Sequence, residues 1–436
     1  MKQNTSRAAD DTADIIVVGG GPAGIMAAGR AGELGAKTAL LEKNPGLGVK
    51  LLITGGGRCN VTNAAGTKGF IEAFGRNGKF LYRALSVFPS QALTGFLHSH
   101  GVPTRADPDG KIFPADDKAQ SVLGALSGYL RHGKVKVACG AGVSGILLKD
   151  GSPEGVSLAD GSVLRAKKII IATGGLSYPG TGSTGDGYAW AKRCGHSIVP
   201  LRPGLTALES DEPFIKELQG LTLRNVGIAV LAGGRKAAEE KGDLLFTHFG
   251  VSGPKLLIMS GAAVDALQAP GARVELSLDL MPELSPEELT GTIQKFFAAN
   301  GAKIFASYLK AALPGSLAPV FERRCGIDHS RQCASITGAE RKRIAELLGD
   351  FRIHITRPRP LAEATVTRGG VKLAEINPQT MESRLVPGLY FCGEVLDLDG
   401  LTGGYNLQEA FSTGYLAGQS AASGPLGPGS AGPKAH

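Results

Sequence analysis

Residues 14–43, DIIVVGGGPAGIMAAGRAGELGAKTALLEK, place an apolar strand, a glycine turn, a helix and a second strand ending in an acid in that order. Ile15 to Val18 form the unbroken apolar run of a strand buried on both faces. Gly19, Gly21 and Gly24 then fall in the G-x-G-x-x-G spacing. In that pattern the first glycine permits the tight turn, the second lets the backbone approach a pyrophosphate, and the third lets the helix pack closely on the sheet. Pro22 and Ala23 open the helix, whose free amides and positive dipole end point at an anion. Glu42, followed by Lys43, ends the second strand where an acid hydrogen-bonds an adenosine ribose. The run predicts a dinucleotide-binding βαβ unit in a parallel α/β sheet.

The 436 residues suffice for about three domains, and 42% hydrophobic content is ample for packed cores. No apolar run reaches the length needed to cross a bilayer, and the polar start MKQNTSRAADDTAD has no secretory signal pattern. The six cysteines are scattered without a C-x-x-C pair, so neither a zinc site nor a dithiol centre is expected, and the default location is cytoplasmic. A net charge of +8 admits a nucleic-acid partner, but the basic residues read as dispersed and without interleaved aromatics. A small-molecule substrate is therefore expected rather than nucleic acid, with no membrane partner; the sequence does not set the oligomeric state.

Beyond residue 43 comes a glycine-rich loop, 44–57, then RCNVTN, and helix starts near Pro89 and Asp116. Lys134 to Ala138, Val143 to Leu148 and the hairpin EGVSLADGSVL read as strands that lead back to a buried strand at Lys168 to Ala172. Strands at Thr222 to Leu231 and Arg273 to Leu278 precede a helical stretch from Ser285, where SPEEL is an N-terminal signature, to about Leu348. Phe351 to Ile355 and Leu389 to Cys392 resume strands, and Gly404 to Ala422 is a last helix. The expected organisation is a lead at 1–13, a discontinuous dinucleotide-binding domain at 14–194 and 351–423, an inserted β-rich domain at 195–280 with a helical subdomain at about 281–350, and a disordered tail at 424–436.

NAD and FAD share an ADP half, so one fingerprint leaves both open. IIIATGG at 169–175 and LYFCGEVLDLDG at 389–400 resemble the second and third glycine-bearing strand ends of a glutathione-reductase-type FAD domain. In such domains the late segment carries an acid near the ribityl chain, which is Glu394 here. GGYNLQEAF from Gly403 then starts a helix whose amides can face the flavin pyrimidine. Between Gly195 and Arg357 no second G-x-G-x-x-G follows an apolar strand, so NAD(P)H, if it is the donor, must visit the substrate cavity transiently.

Five segments, LLITGGGRCNVTN (51–63), ATGGLSYPGTGSTGDGY (172–188), LLFTHFGVSGP (244–254), ATVTRGGV (364–371) and GEVLDLDGLTGGYNLQEAFSTG (393–414), resemble the BaiN/RdsA-like flavoprotein family, also labelled aminoacetone-oxidase-like. The resemblance runs from about Asp14 to Ala422. It implies noncovalent FAD in a cytoplasmic oxidoreductase whose Rossmann-like, glutathione-reductase-type domain is interrupted by an insert. Members have been assigned both reduction of conjugated double bonds in oxo-steroids and oxidation of a small aminoketone.

The cofactor-contacting set expected from these readings comprises Gly19, Gly21, Pro22, Ala23, Gly24, Glu42 and Lys43, with Lys50, Gly56, Gly57, Arg58, Cys59 and Asn60 from the glycine-rich loop. It continues with Val143, with Thr173, Gly174 and Gly175, with Gly393 and Glu394, and with Gly404, Tyr405, Asn406 and Leu407. His248, Tyr178 and Arg58 are the catalytic candidates, as polar groups in Gly/Pro-rich loops; Cys59 also reads as packing, and no metal site is expected. Substrate is expected to enter between the loop at 51–63 and the insert. Two alternatives to small-molecule chemistry stay open: a flavoprotein that modifies RNA, and a non-enzymatic flavin redox switch.

Overall fold

The computed structural model describes residues 12–423; most of the expected lead, 1–11, and the expected tail, 424–436, lie outside the described residues. The chain divides into two units, one formed by 12–202 with 365–423 and the other by Pro203–Ala364.

In the first unit five parallel strands, β1 (Ile15–Val18), β2 (Thr38–Glu42), β3 (Lys136–Cys139), β4 (Lys168–Ile171) and β5 (Leu389–Phe391), lie in the order β5-β4-β1-β2-β3. All four residues of β1 are buried, as a central parallel strand covered on both faces must be. Thr12 and Ala13, expected in the lead, are instead tied to Arg165 by a bridge and a hydrogen bond. Three antiparallel strands, Val143–Lys149, Ser152–Leu158 and Val163–Arg165, form the meander before β4.

Helix α1 (Pro22–Glu33) packs between α2 (Ala119–His132) and α3 (Tyr405–Ser423). The approach of α1 to α3 is backbone on backbone. A Cβ at Gly414 would stand 2.2 Å from the Ala23 carbonyl oxygen, and one at Gly418 would stand 2.1 Å from that of Ala27. Glycines four apart on α3 thus meet alanines four apart on α1, the spacing that puts residues on one helix face. On the sheet side a Cβ at Gly24 would fall 1.8 Å from the Gly19 carbonyl oxygen, which is the close helix–strand contact expected of the third motif glycine.

The second unit is built on a seven-stranded antiparallel sheet in the spatial order Phe351–Ile355, Val274–Asp279, Thr222–Ala232, Arg235–Phe246, Gly250–Ser252, Leu208–Glu209, Arg357–Pro358. Four helices, Pro286–Ala299, Phe305–Ala312, Leu317–Cys325 and Gly338–Gly349, share its core: Ile293, Phe297, Phe321 and Leu348 cluster with Leu276 and Ile353. Ser285 and Glu288 form the capping box that SPEEL announces, and Thr337 with Glu340 form a second one.

The observed limits differ from the expected 195 and 350. The strand Ile198–Gly204 pairs with Val366–Val371, which keeps residues up to Arg202 with the first unit. Phe351–Ile355 does not return to the parallel sheet; it pairs along Val274–Asp279 and buries Phe351, Ile353 and Ile355 in the second core. Its alternating pattern suits a sheet with one covered face, not a strand covered on both.

Candidate functional site

The glycine turn between β1 and α1 is held from the side by β2. Gly20 N–H donates to Glu42 Oε2 at 2.6 Å, and Asn44 N–H donates to Glu42 Oε1 at 2.8 Å. Glu42 is buried, and its two oxygens fix the turn and the chain leaving β2. The three motif glycines differ in their surroundings. Gly19 takes φ +110°, Gly24 is pressed on the strand, and a Cβ at Gly21 would meet nothing within 4 Å. Gly21 is also the N-cap of α1, with Pro22 behind it and no side-chain cap, so the first amides of the helix are free for an anion. An open cradle at the N-terminus of a buried helix fits a pyrophosphate.

A second group of side chains gathers residues from four distant parts of the chain. Lys50 Nζ donates to Glu394 Oε2 at 2.8 Å and to Ser177 Oγ at 2.7 Å, and Ser177 Oγ reaches Glu394 Oε1 at 3.0 Å. Thr367 N–H donates to the same Glu394 oxygen at 2.8 Å, while Thr367 Oγ1 accepts from the amides of Leu176 and Ser177 at 2.8 and 3.2 Å. Lys50 and Glu394 were expected here. Ser177 and Thr367 were not, although both lie inside segments that carry the family resemblance. Gly174 and Gly175 line this group, since a Cβ at Gly175 would sit 3.0 Å from Glu394 Oε1. Thr173 Oγ1 is buried without a hydrogen-bond partner and is turned onto Gly187, where a Cβ would stand 2.1 Å from it. Gly393 adjoins the start of α1: its Cβ would lie 2.8 Å from that of Ala23. The late strand end thereby meets the first glycine turn.

The remaining candidates are placed as follows. Lys43 pairs with Asp186 at 2.6 Å and also meets Thr184, and Val143 begins the meander beyond the end of β2. Gly56 and Gly57 hold positive φ in a turn that no side chain closes from above Gly56. Arg58 is exposed and lies with its guanidinium over the Phe113 ring, 4.5 Å from its centroid. Asn60 Nδ2 is committed to the carbonyls of Thr62 and Ile112. Cys59 is fully buried, and burial pushes its thiol up to about 11, which leaves it a packing residue. Asn406 clamps the Gly400 turn through three hydrogen bonds, and Tyr405 packs edge-on against Phe70, ahead of Leu407. A Cβ at Gly404 would strike the Thr62 carbonyl at 2.3 Å, so the start of α3 is seated on the RCNVTN segment. Tyr178 is 41% exposed and holds φ +53°, an uncommon conformation for a bulky residue, with its carbonyl accepting from Thr181 N–H and Oγ1. His248 belongs to the second unit, where it is exposed with its ring edge-on to Phe249.

A model of the HI0933-like protein Rossmann domain matches residues 13–420. The chain belongs to that family. Its members include FAD-dependent oxidoreductases, and this chain is an FAD-dependent oxidoreductase. It is 33% identical to the 3-dehydro-bile acid delta(4,6)-reductase of Clostridium scindens, over 94% of this chain and 99% of that one. It is 31% identical to the ribosomal RNA dihydrouridine synthase of Escherichia coli, over 93% and 97% of the two chains. Among solved structures, the 3-ketosteroid-delta4-(5alpha)-dehydrogenase of Rhodococcus jostii aligns with a TM-score of 0.53 at 16% identity, covering 96% of this chain and 99% of that one, a likeness of fold. No helix among the described residues is long and apolar enough to cross a membrane.

Buried in the same region is an acid that the sequence reading did not single out. Glu409 of α3 is fully buried, and burial pushes its carboxyl up to about 8, helped by the nearby charge of Glu394 and opposed by a hydrogen bond from Thr413. The folded state therefore binds this proton more tightly than the unfolded chain, whose carboxyl titrates near 4.5. Stability from this group is complete below about 4.5 and falls by about 1.4 kcal/mol per pH unit as pH rises toward 8. Glu409→Gln should thus gain melting temperature over the parent at pH 8 and little at pH 5; equal differences at both pH values would show that Glu409 is charged in the folded protein.

The geometry at Gly21 yields a cleaner test. Because a Cβ there meets no protein atom within 4 Å, Gly21→Val should fold with a normal circular dichroism spectrum and melting curve yet lose most of its FAD. Full FAD stoichiometry in that variant would remove the pyrophosphate from Gly21.

Proposed function

We propose that this protein reduces a carbon–carbon double bond conjugated to a carbonyl, taking electrons from NAD(P)H through noncovalent FAD. The observation that carries the reading is a chemical identity between two relatives of nearly full length. A delta(4,6)-reductase of a 3-oxo steroid skeleton and a dihydrouridine synthase both saturate an alkene conjugated to a carbonyl. Bound FAD supplies two-electron transfer between an organic donor and an organic acceptor. The balance is one NAD(P)H and one proton consumed per double bond, giving NAD(P)⁺ and two new C–H bonds.

The chain's own residues have three tasks. The free amides at Gly21 and the carboxylate of Glu42 hold the adenosine half of the cofactor, while Lys50 and Glu394 hold the middle of it. A proton must reach the carbon next to the carbonyl, and Tyr178, whose exposed phenol directly follows Ser177 of the Lys50–Glu394 group in the chain, is the first candidate to deliver it. Absence of a second nucleotide fingerprint in the sequence supports a donor that binds, reduces and leaves before the acceptor enters.

A second reading keeps the reaction and changes what carries the alkene, from a free small molecule to a uracil base within RNA. The Escherichia coli relative and a Haemophilus influenzae relative of the same name, 30% identical over 92% of this chain, favour it.

Anaerobic mixing with NADPH should bleach the flavin, and a conjugated enone added afterwards should restore the colour. Tyr178→Phe should leave FAD content and bleaching by NADPH unchanged and slow the recolouring by roughly a hundredfold or more, the usual worth of a positioned acid. A reduced flavin that recolours only with oxygen would overturn the reductase reading; parental recolouring in Tyr178→Phe would overturn Tyr178 as the proton donor.

A further inference from the structure

The expectation that basic residues are dispersed does not survive a count by segment. Residues 43–106 hold eight Lys or Arg against the single acid Glu72, a net +7 within a whole chain of +8. Four of the eight are paired with acids: Lys43, Lys50, Lys68 and Arg105. Arg58 lies on Phe113. The other three, Arg76, Lys79 and Arg83, fall on one short stretch.

That stretch is a 3-10 helix, Gly75–Leu81, running into an α-helix, Tyr82–Val87. In a 3-10 helix residues three apart eclipse one another, so Arg76, Lys79 and Tyr82 line a single ridge roughly 12 Å long, with Arg83 beside its end. Burial agrees: Gly78, Leu81, Ala84 and Leu85 face inward, while Arg76 and Lys79 are exposed and Tyr82 is 64% exposed. An apolar ring this exposed on a convex helix is not part of a core. The ridge is fixed to the turn that precedes α3. Asn77 Nδ2 donates to the Asp397 carbonyl at 2.8 Å, Leu401 N–H donates to the Ala73 carbonyl at 3.2 Å, and a Cβ at Gly400 would strike the Phe74 ring at 2.7 Å. Asp397 is the acid that faces Arg76. The same turn leads through Gly403 and Gly404 to the start of α3, so a ligand lying on the ridge borders the candidate cofactor site.

We infer that Arg76, Lys79, Arg83 and Tyr82 form a docking surface for the backbone of single-stranded RNA. The inference rests on the second reading above, in which the alkene is a uracil. Three cations in a row suit successive phosphates, and an exposed aromatic ring beside them suits a stacked base. A small anionic ligand would call for a concave site, whereas Arg76, Lys79 and Tyr82 stand exposed along one helical ridge.

The test uses the FAD-loaded protein and a fluorescein-labelled twelve-nucleotide uridine-rich RNA, read by fluorescence anisotropy across a salt series. Arg76→Glu/Lys79→Glu/Arg83→Glu should weaken binding at least tenfold and flatten the slope of log affinity against log salt by about two, the release expected for three single-strand phosphates. Tyr82→Ala should weaken binding about tenfold with an unchanged slope. FAD content and bleaching by NADPH should match the parent in both variants. A control reversal on the second unit, Lys295→Glu/Lys310→Glu, should leave binding unchanged. The docking surface is overturned if the parent does not bind the RNA, if the ridge variants bind as the parent does, or if the control weakens binding equally. Since binding is read without turnover, failure of alkene reduction would count against the proposed reaction while leaving this measurement to decide the ridge.

Discussion

Everything at the candidate site depends on how closely α1 approaches its neighbours. Its first turn lies on the end of β1 through Gly24, and its body lies against α3 through Gly414 and Gly418. None of these contacts leaves room for a side chain. Backbone carbonyls therefore set the position of α1 to within tenths of an ångström, and that position aims the free amides at Gly21. Electrostatics then follows from packing. A helix dipole and unsatisfied amides draw an anion wherever they are aimed, and here they are aimed at an open cradle beside Glu42.

The polar group around Glu394 does a different job. Lys50 comes from the segment after β2, Ser177 from the segment after β4, Thr367 from the chain that returns from the second unit, and Glu394 from the segment after β5. One carboxylate thus accepts from three excursions of the chain and holds them at the C-terminal ends of parallel strands, where ligands bind in open α/β sheets. An ion pair that is only partly buried adds modest stability by itself. Its value here is positional, because losing any partner leaves the others misdirected.

Sequence and structure part company in instructive places. The first βαβ unit was legible because each of its constraints is local: a run of apolar residues, glycine spacing, a terminal acid. The capping box at Ser285 was legible for the same reason. Phe351–Ile355, expected in the dinucleotide-binding domain, lies in the second unit's sheet, since an alternating strand announces that it has one covered face and not which partner covers it. Ser177 and Thr367 could not be read as partners of Glu394 from spacing, because the contact joins positions far apart in the chain. The side-chain amides of Asn60 and Asn406 hold backbone carbonyls of neighbouring turns, long-range contacts that their segments' spacing does not announce. The concentration of charge in 43–106 was available in the sequence from the start and was obscured by averaging over the whole chain.

The account turns on a site built for the adenosine half of a dinucleotide at Gly21 and Glu42. Calorimetric titration of the deflavinated protein with FAD and with FMN addresses that half alone, since FMN has the same reactive ring and lacks the adenylate. One FAD should bind per chain, and FMN should bind at least tenfold more weakly, the loss expected for a single charged hydrogen bond. Equal affinity for FMN and FAD would show that Gly21 and Glu42 do not hold the adenylate.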